Sequence, residues 1–390
     1  MRKCFLYIAL LAAVSACIYP FDLELETDPA ETLVADGEIV VGGVGTLSLS
    51  YLTPLGSNAP QDGYYLGSSA RQPYANAWVE DSEGTQYRPA SAASSNNFFF
   101  DLSEAPAGRQ YRTVIELDGE TYESDWLTPL APPEIKEIRF EADDANVNTL
   151  VTLDAGPEGT GYIGLTYEET WEFHAEFYPS YGYMPETHSY LNYEESQFEY
   201  KYYWCWRSRN SNGMVLIKHD NLGGNGASSF PMLIFPRTDS RNHKKYSVLV
   251  KARTLSEQTY KYNNWLEELN RTGSSLFEPD PGQMRGNLAC TTDPSRKVLG
   301  LVTASQVTSK RAFLYSQFLR PVRPDESQLR VIPDGNEELM DAYYFDWNYL
   351  PVYYITQGDL YGMGWGPRRC VDCRAAGGNQ SEPPFWNEDK

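Results

Sequence analysis

Two alternating runs, Tyr111-Arg112-Thr113-Val114-Ile115-Glu116-Leu117 and Glu120-Thr121-Tyr122-Glu123-Ser124-Asp125-Trp126, meet at Asp118-Gly119. Asp-Gly between period-two segments favours a tight type I′ hairpin, because both turn residues must tolerate positive φ. A lone hairpin is marginal in water and needs further strands to bury its apolar face. The preceding chain offers them. Leu33–Val41 and Thr46–Tyr51 are strand-like and split by Gly42-Gly43-Val44-Gly45, and Ala77–Glu80 and Thr85–Tyr87 flank the turn Asp81-Ser82-Glu83-Gly84. Short strands at this spacing predict an immunoglobulin-like or prealbumin-like β-sandwich over residues 32–128. Thr128-Pro129-Leu130-Ala131-Pro132-Pro133 then reads as a stiff linker, since proline cannot donate to a central ladder.

Residues 134–390 carry the same kind of pattern and read as a larger β-rich domain. Strands are expected at Glu134–Phe140, Thr149–Leu153, Met232–Phe235, Tyr246–Ala252, Lys297–Ala304 and Lys310–Tyr315. One short helix is expected near 255–270. Thr254-Leu255-Ser256-Glu257 resembles a capping box, Tyr262, Leu266 and Leu269 share a helical face, and Gly273 fits a C-terminal cap. The fold class is therefore mainly β. A hydrophobic fraction of 41% and a charged fraction of 22% exclude a wholly disordered chain and a coiled coil. No apolar run reaches the roughly 18 residues of a spanning helix, so a polytopic membrane protein is excluded. A formal charge of −21 would repel phosphate backbones, which excludes general nucleic-acid binding.

The start of the chain carries an address. Met1-Arg2-Lys3, the apolar run Phe5–Val14 and then Ser15-Ala16-Cys17 read as a secretory signal over residues 1–16, with Val14-Ser15-Ala16-Cys17 fitting a bacterial lipobox. Lipidation of Cys17 would hold the chain on a membrane at about 0.8 kcal/mol per buried CH₂. Residues 17–31 then serve as the lipidated tether. Removing the leader takes away Arg2 and Lys3 and no acid, which moves the charge from −21 to −23. Cys205, Cys290, Cys370 and Cys373 remain, and an even count in an exported chain suggests two disulfides with three possible pairings. Cys370-Val371-Asp372-Cys373 is short enough to close on itself, which would leave Cys205 with Cys290. The alternatives for this spacing are half a zinc site and a redox pair.

From Tyr162 to Trp206, 16 of 45 residues are aromatic, against 14% in the whole chain. Aromatic faces stack on sugar rings or a partner's apolar groups, and Tyr hydroxyls add hydrogen bonds. Tyr181, Tyr183 and Tyr190, beside Gly182 and Pro185, are expected on an exposed loop as ligand- or partner-binding candidates, while Trp204 and Trp206 are expected to pack inside.

Several pieces occur in a telling order: Cys17-Ile18-Tyr19-Pro20-Phe21, then Leu33–Gly37, then the helix running into Ser275–Pro279 and Arg285-Gly286-Asn287-Leu288. Val298–Ser305 follows, and the tail is Cys370-Val371-Asp372-Cys373-Arg374, Gly377-Gly378 and Pro384-Phe385-Trp386. This order resembles the DUF4249 family of Bacteroidota envelope lipoproteins. The resemblance implies an envelope lipoprotein of the kind encoded beside TonB-dependent outer-membrane receptors. It implies no reaction and transfers only Cys17 and the Cys370/Cys373 pair.

Catalytic signatures are sparse. There is no Walker A pattern, G-x-S-x-G or H-E-x-x-H. Gly42–Gly45 lacks the third glycine of a dinucleotide turn, and Gly362–Gly366 reads as an irregular loop. Glu168-Glu169 and Glu194-Glu195 read as solvated acids, His219-Asp220 lacks an activated nucleophile, and Asp220–Gly226 reads as a plain turn rather than a calcium loop. No catalytic, metal or cofactor residues are assigned. The expected function is an outer-membrane-anchored, non-enzymatic lipoprotein, facing the periplasm or the cell surface. It would bind a glycan or small nutrient, or pair with a TonB-dependent receptor. A surface glycan or peptide hydrolase and a structural adhesion protein are the alternatives.

Overall fold

The structure, a computed structural model, describes residues 32–51, 75–89, 96–154, 161–195, 200–218, 227–272, 286–320, 323–357 and 360–388. It is mainly β, with several sheets and one helix of substantial length. Cys17 and its tether, His219, and Asp220–Gly226 lie outside the described residues.

The hairpin forms as the sequence dictates. Tyr111–Leu117 pairs with Glu120–Ser124, and Asp118 and Gly119 take φ of 52° and 87°. Around it lies a five-stranded sheet in the order Leu288–Cys290, Glu120–Ser124, Tyr111–Leu117, Ala75–Asp81, Gln86–Tyr87. A second sheet orders Val298–Leu299, Leu33–Val41, Val44–Tyr51 and Asn97–Asp101, with Val302–Gln306 also paired to Leu33–Val41. Alternation decides the faces: Leu33, Ala35, Ile39 and Val41 point inward, while Asp36 and Glu38 point outward. The inward set meets Phe98, Phe100, Ile115, Tyr111 and Leu117 in one core. Each such side chain contributes roughly 1.5–3 kcal/mol on full burial.

This sandwich does not end near residue 128. Leu288–Cys290, Val298–Leu299 and Val302–Gln306, assigned from sequence to the C-terminal domain, complete both of its sheets. The last two pair in parallel with Leu33–Val41, a contact of long sequence separation that local patterning cannot reveal. The single strand expected over 297–304 is split at Gly300, which holds φ +101° and whose Cβ would sit 2.2 Å from the Ala35 carbonyl oxygen.

A second sandwich follows. Its larger sheet orders Trp204–Asn210, Tyr162–His174, Lys245–Thr254 and Thr308–Tyr315, with Val215–Lys218 also on Tyr162–His174. The facing sheet orders Ala227–Pro236, Asn146–Asp154 and Glu134–Ala142. Val147, Val151, Leu165, Phe235, Tyr246, Val248 and Val250 fill the space between. Helix α1, Glu257–Thr272, leaves the end of the Lys245–Thr254 strand. Its first turn is closed by Ser256, whose Oγ accepts the Thr259 N–H at 3.1 Å. Thr254 donates to the Ala131 carbonyl at 2.6 Å instead of capping, so the helix starts later than the capping-box reading placed it.

The C-terminal region adds an aromatic module. Arg330–Ile332, Leu360–Pro367 and Tyr349–Gln357 form one sheet, and Tyr181–Met184 pairs with Ser189–Asn192 beside it. The glycine-rich run Gly362–Gly366, expected as an irregular loop, is strand: Gly362 and Gly364 face backbone or side-chain atoms within 2.5 Å of where a Cβ would be, so the closely packed sheet requires them.

Candidate functional site

Where the two sandwiches meet, the outward face of Leu33–Val41 confronts the end of Lys245–Thr254 and the start of α1. The gap is a cleft of about 600 Å³, within the range of small-molecule sites. Asp36, Glu38, Arg253, Tyr262, Asn263 and Trp126 are among its lining residues.

Strand geometry creates the acidic wall. Asp36 and Glu38 are two residues apart, so they share the outward face, separated by about 7 Å along the strand. Arg253 reaches across from the second sandwich. Its Nη1 pairs with Glu38 Oε1 and its Nη2 donates to Thr166 Oγ1 at 3.2 Å. Ser305 Oγ also donates to Glu38, at 2.9 Å. Asp36 Oδ1 accepts from Tyr262 OH at 2.6 Å and from the Leu301 N–H at 3.2 Å. Burial first, and then this hydrogen bond, raise the Tyr262 phenol well above its usual range. Arg253 is only 7% exposed, yet its buried Nε meets no hydrogen-bond partner among the described residues. On the far wall, Arg112 lies over the Trp126 ring at 4.7 Å and is itself held by Glu80 and Glu123.

The tyrosines chosen from sequence lie elsewhere, in the aromatic module, and not on an exposed loop. Tyr181 and Tyr183 sit on one strand of the Tyr181–Met184 hairpin and Tyr190 on the other, with Tyr183 opposite Tyr190. Tyr183 is buried; its hydroxyl donates to Asp341 Oδ1 at 2.5 Å and meets His188 Nδ1 at 3.1 Å. Tyr190 OH accepts from Trp365 Nε1 at 3.2 Å, and burial pushes the Tyr190 phenol up to about 12. Both rings lie near the fully buried Trp365, with centroids 5.3 and 6.1 Å away. Tyr181 and Tyr183 do line a small cavity of about 140 Å³, with Tyr200, Tyr202 and Arg374 on its rim. Trp204 and Trp206, expected inside, are half-buried, while Cys205 between them is fully buried.

The cysteine pairing also differs from the sequence expectation. Cys205 bonds Cys373, and Cys290 and Cys370 are buried free thiols. Cys290 packs in the first sandwich core, so it is far in the fold from the strand bearing Cys205. Cys373 follows the short helix Arg368–Val371, and its N–H binds the Tyr202 carbonyl at 2.9 Å, which lays the tail beside the Cys205 strand. Cys370 instead turns toward Gln328.

The remaining acids have structural partners. Glu168 pairs with Lys251, whereas Glu169, expected to be solvated, is buried among Arg209, Arg241 and the Tyr246 hydroxyl. The backbone N–H groups of Glu194 and Glu195 donate to Asn192 Oδ1, as in a turn. Among the described residues no cluster of three or more His, Cys, Asp or Glu could hold a metal ion, and no helix is long and apolar enough to cross a membrane.

Sequence reasoning missed the cleft. Its signal was two acids at alternate positions of an otherwise apolar strand, and one arginine ending another.

A two fibronectin type-III domain segment from chicken tenascin is similar to this chain at 11% identity, covering 56% of this chain and 88% of that one with a TM-score of 0.17. No curated protein matches. The profile of the family described as Domain of unknown function (DUF4249) matches residues 18–311, and the chain therefore belongs to the DUF4249 family.

Proposed function

We propose that this protein is a non-enzymatic binding lipoprotein, anchored to the outer membrane through Cys17, that serves a TonB-dependent uptake system and holds a small nutrient between its two sandwiches. The carrying observation is the state of the cleft's acids. Asp36 and Glu38 are both engaged as acceptors by Tyr262, Leu301, Arg253 and Ser305, as suits a rigid recognition surface. The lipobox residues Val14-Ser15-Ala16-Cys17 support the anchor. Labelling with a radioactive fatty acid should mark wild type and spare Cys17→Ala, and mild detergent extraction should recover a barrel receptor with the wild-type protein. Equal labelling of both chains, or repeated recovery of the protein alone, would overturn the reading.

One observation favours a glycan hydrolase as the second reading. Asp36 and Glu38, at alternate positions on one strand face, bring two carboxylates into one cleft, the residue types that glycosidases pair. That reading requires turnover of an oligosaccharide that Asp36→Asn and Glu38→Gln each abolish. Binding without turnover would remove it.

A further inference from the structure

We infer that the cleft between the sandwiches is a site for a neutral, hydroxyl-rich ligand, a short oligosaccharide, seated against Trp126. This rests on the binding reading above and adds the ligand's chemistry to it. Three observations select that chemistry.

The first is charge. Arg253 is the cation among the cleft residues that frame Glu38, and it is already matched to that carboxylate. Asp36 leaves the wall with a net negative charge on a chain whose formal charge is −21. An anionic ligand would be repelled from this wall.

The second is the pattern of hydrogen-bonding groups. Arg253 Nε–H is a buried donor with no partner among the described residues, while Nη1 and Nη2 of the same side chain are engaged. An orphan of this kind is costly unless something supplies an acceptor oxygen. The same cleft is lined by the carboxylates of Asp36 and Glu38, whose oxygens have acceptor capacity beyond their present partners, and by Asn263, whose Nδ2 donates to the Thr259 carbonyl at 2.9 Å while its Oδ1 is an acceptor. A ligand that both donates and accepts at adjacent atoms satisfies this set, and vicinal hydroxyls do so.

The third is Trp126, which is 41% exposed at the cleft wall. Arg112 covers one face of the indole. An exposed indole among the polar residues of a cleft lining offers a flat apolar ring of the kind on which the C–H face of a pyranose packs.

The test uses the full mature chain in detergent micelles and saturation-transfer NMR with a panel of neutral trisaccharides (α- and β-glucan, mannan, xylan and galactan fragments), with citrate and a tripeptide as controls. The inference expects transfer to at least one trisaccharide, none to citrate, and about five- to tenfold weaker binding in Trp126→Ala with recovery in Trp126→Phe. Asn263→Ala supplies a variant outside the core of either sandwich and should also weaken binding. No transfer to any neutral sugar, transfer undiminished in both variants, or preferential binding of citrate or the peptide would overturn it. Failed receptor recovery with sugar binding intact would instead remove the uptake role alone.

Discussion

Cys205 and Cys373 are bonded across 168 residues, and this bond fastens the C-terminal tail to the central sheet. Beyond it the tail runs along that sheet: Asn379 exchanges backbone hydrogen bonds with Trp206, and Trp386 packs near Phe313. Cross-linking so long a loop removes much conformational freedom from the unfolded chain. Cys373→Ser should therefore cost about 2–5 kcal/mol, read as a lower denaturant midpoint. Alkylation of the denatured, unreduced protein should label Cys290 and Cys370 and leave a Cys205–Cys373 peptide pair. Recovery of a closed Cys370–Cys373 peptide would contradict the fold of the tail.

Glu38 and Arg253 join the two sandwiches through a pair whose arginine is almost wholly buried. Removing one partner leaves the other charge uncompensated, which is worse than removing both. Glu38→Gln should destabilise by about 3 kcal/mol, Arg253→Met by a similar amount, and the double variant by clearly less than their sum. Urea unfolding of the four proteins measures this. Additive losses would mean that the pair is not coupled across the cleft.

The architecture was legible wherever the signal was local. Asp118-Gly119 set its hairpin, and the alternation of Leu33–Val41 set which residues face the core. What was illegible depends on partners distant in sequence. Nothing near Val302 says that it pairs beside Gly37, and nothing near Cys373 says that its thiol faces Cys205 rather than its neighbour in the motif. The exposed-loop placement of the Tyr-rich segment failed for a related reason: aromatic density marks burial as readily as exposure, and Trp365, far downstream, is the group around which Tyr183 and Tyr190 pack. The cleft's residues come from Leu33–Val41, Thr46, residues 126–130, Met214, Arg253 with the start of α1, and residues 287–305, so no single segment announces it.

Tyr183 tests the aromatic module. Its hydroxyl donates to Asp341 Oδ1, so Tyr183→Phe removes that hydrogen bond and leaves His188 Nδ1, at 3.4 Å, beside the carboxylate, while preserving the ring contacts. The expected loss is about 1–2 kcal/mol, with near-ultraviolet circular dichroism of the tryptophans little changed. Tyr181→Phe, at a half-buried position, should fall within about 0.5 kcal/mol of wild type. Equal losses in both would show that the hydroxyl of Tyr183 has no special place in the packing.

Acid sensitivity should come in two steps, the first set by His243. Burial, and then the stacked imidazole of His174 at 4.1 Å, lower the His243 ring from 6.5 to about 4, although Asp239 acts in the opposite sense. Its Nδ1 accepts the His174 backbone N–H at 3.3 Å, a bond that protonation at that nitrogen would break. Between about pH 6.5 and pH 4 the unfolded chain binds a proton that the folded chain refuses, so stability falls as pH falls through that window and is fully present above it. Asp81 acts lower. Burial alone would raise its carboxyl, but the Arg109 hydrogen bond and the Thr85 and Glu83 N–H groups outweigh burial and hold it at about 2. Its contribution, about 1–2 kcal/mol after screening at the partly exposed Arg109, is present above about pH 4 and lost toward pH 2. His243→Gln keeps an acceptor but cannot titrate. Its urea midpoint should be nearly flat from about pH 7 to pH 4.5 where wild type declines, and both proteins should then lose stability together below about pH 4. A variant that declines in parallel with wild type through the upper window would place that acid sensitivity on another group.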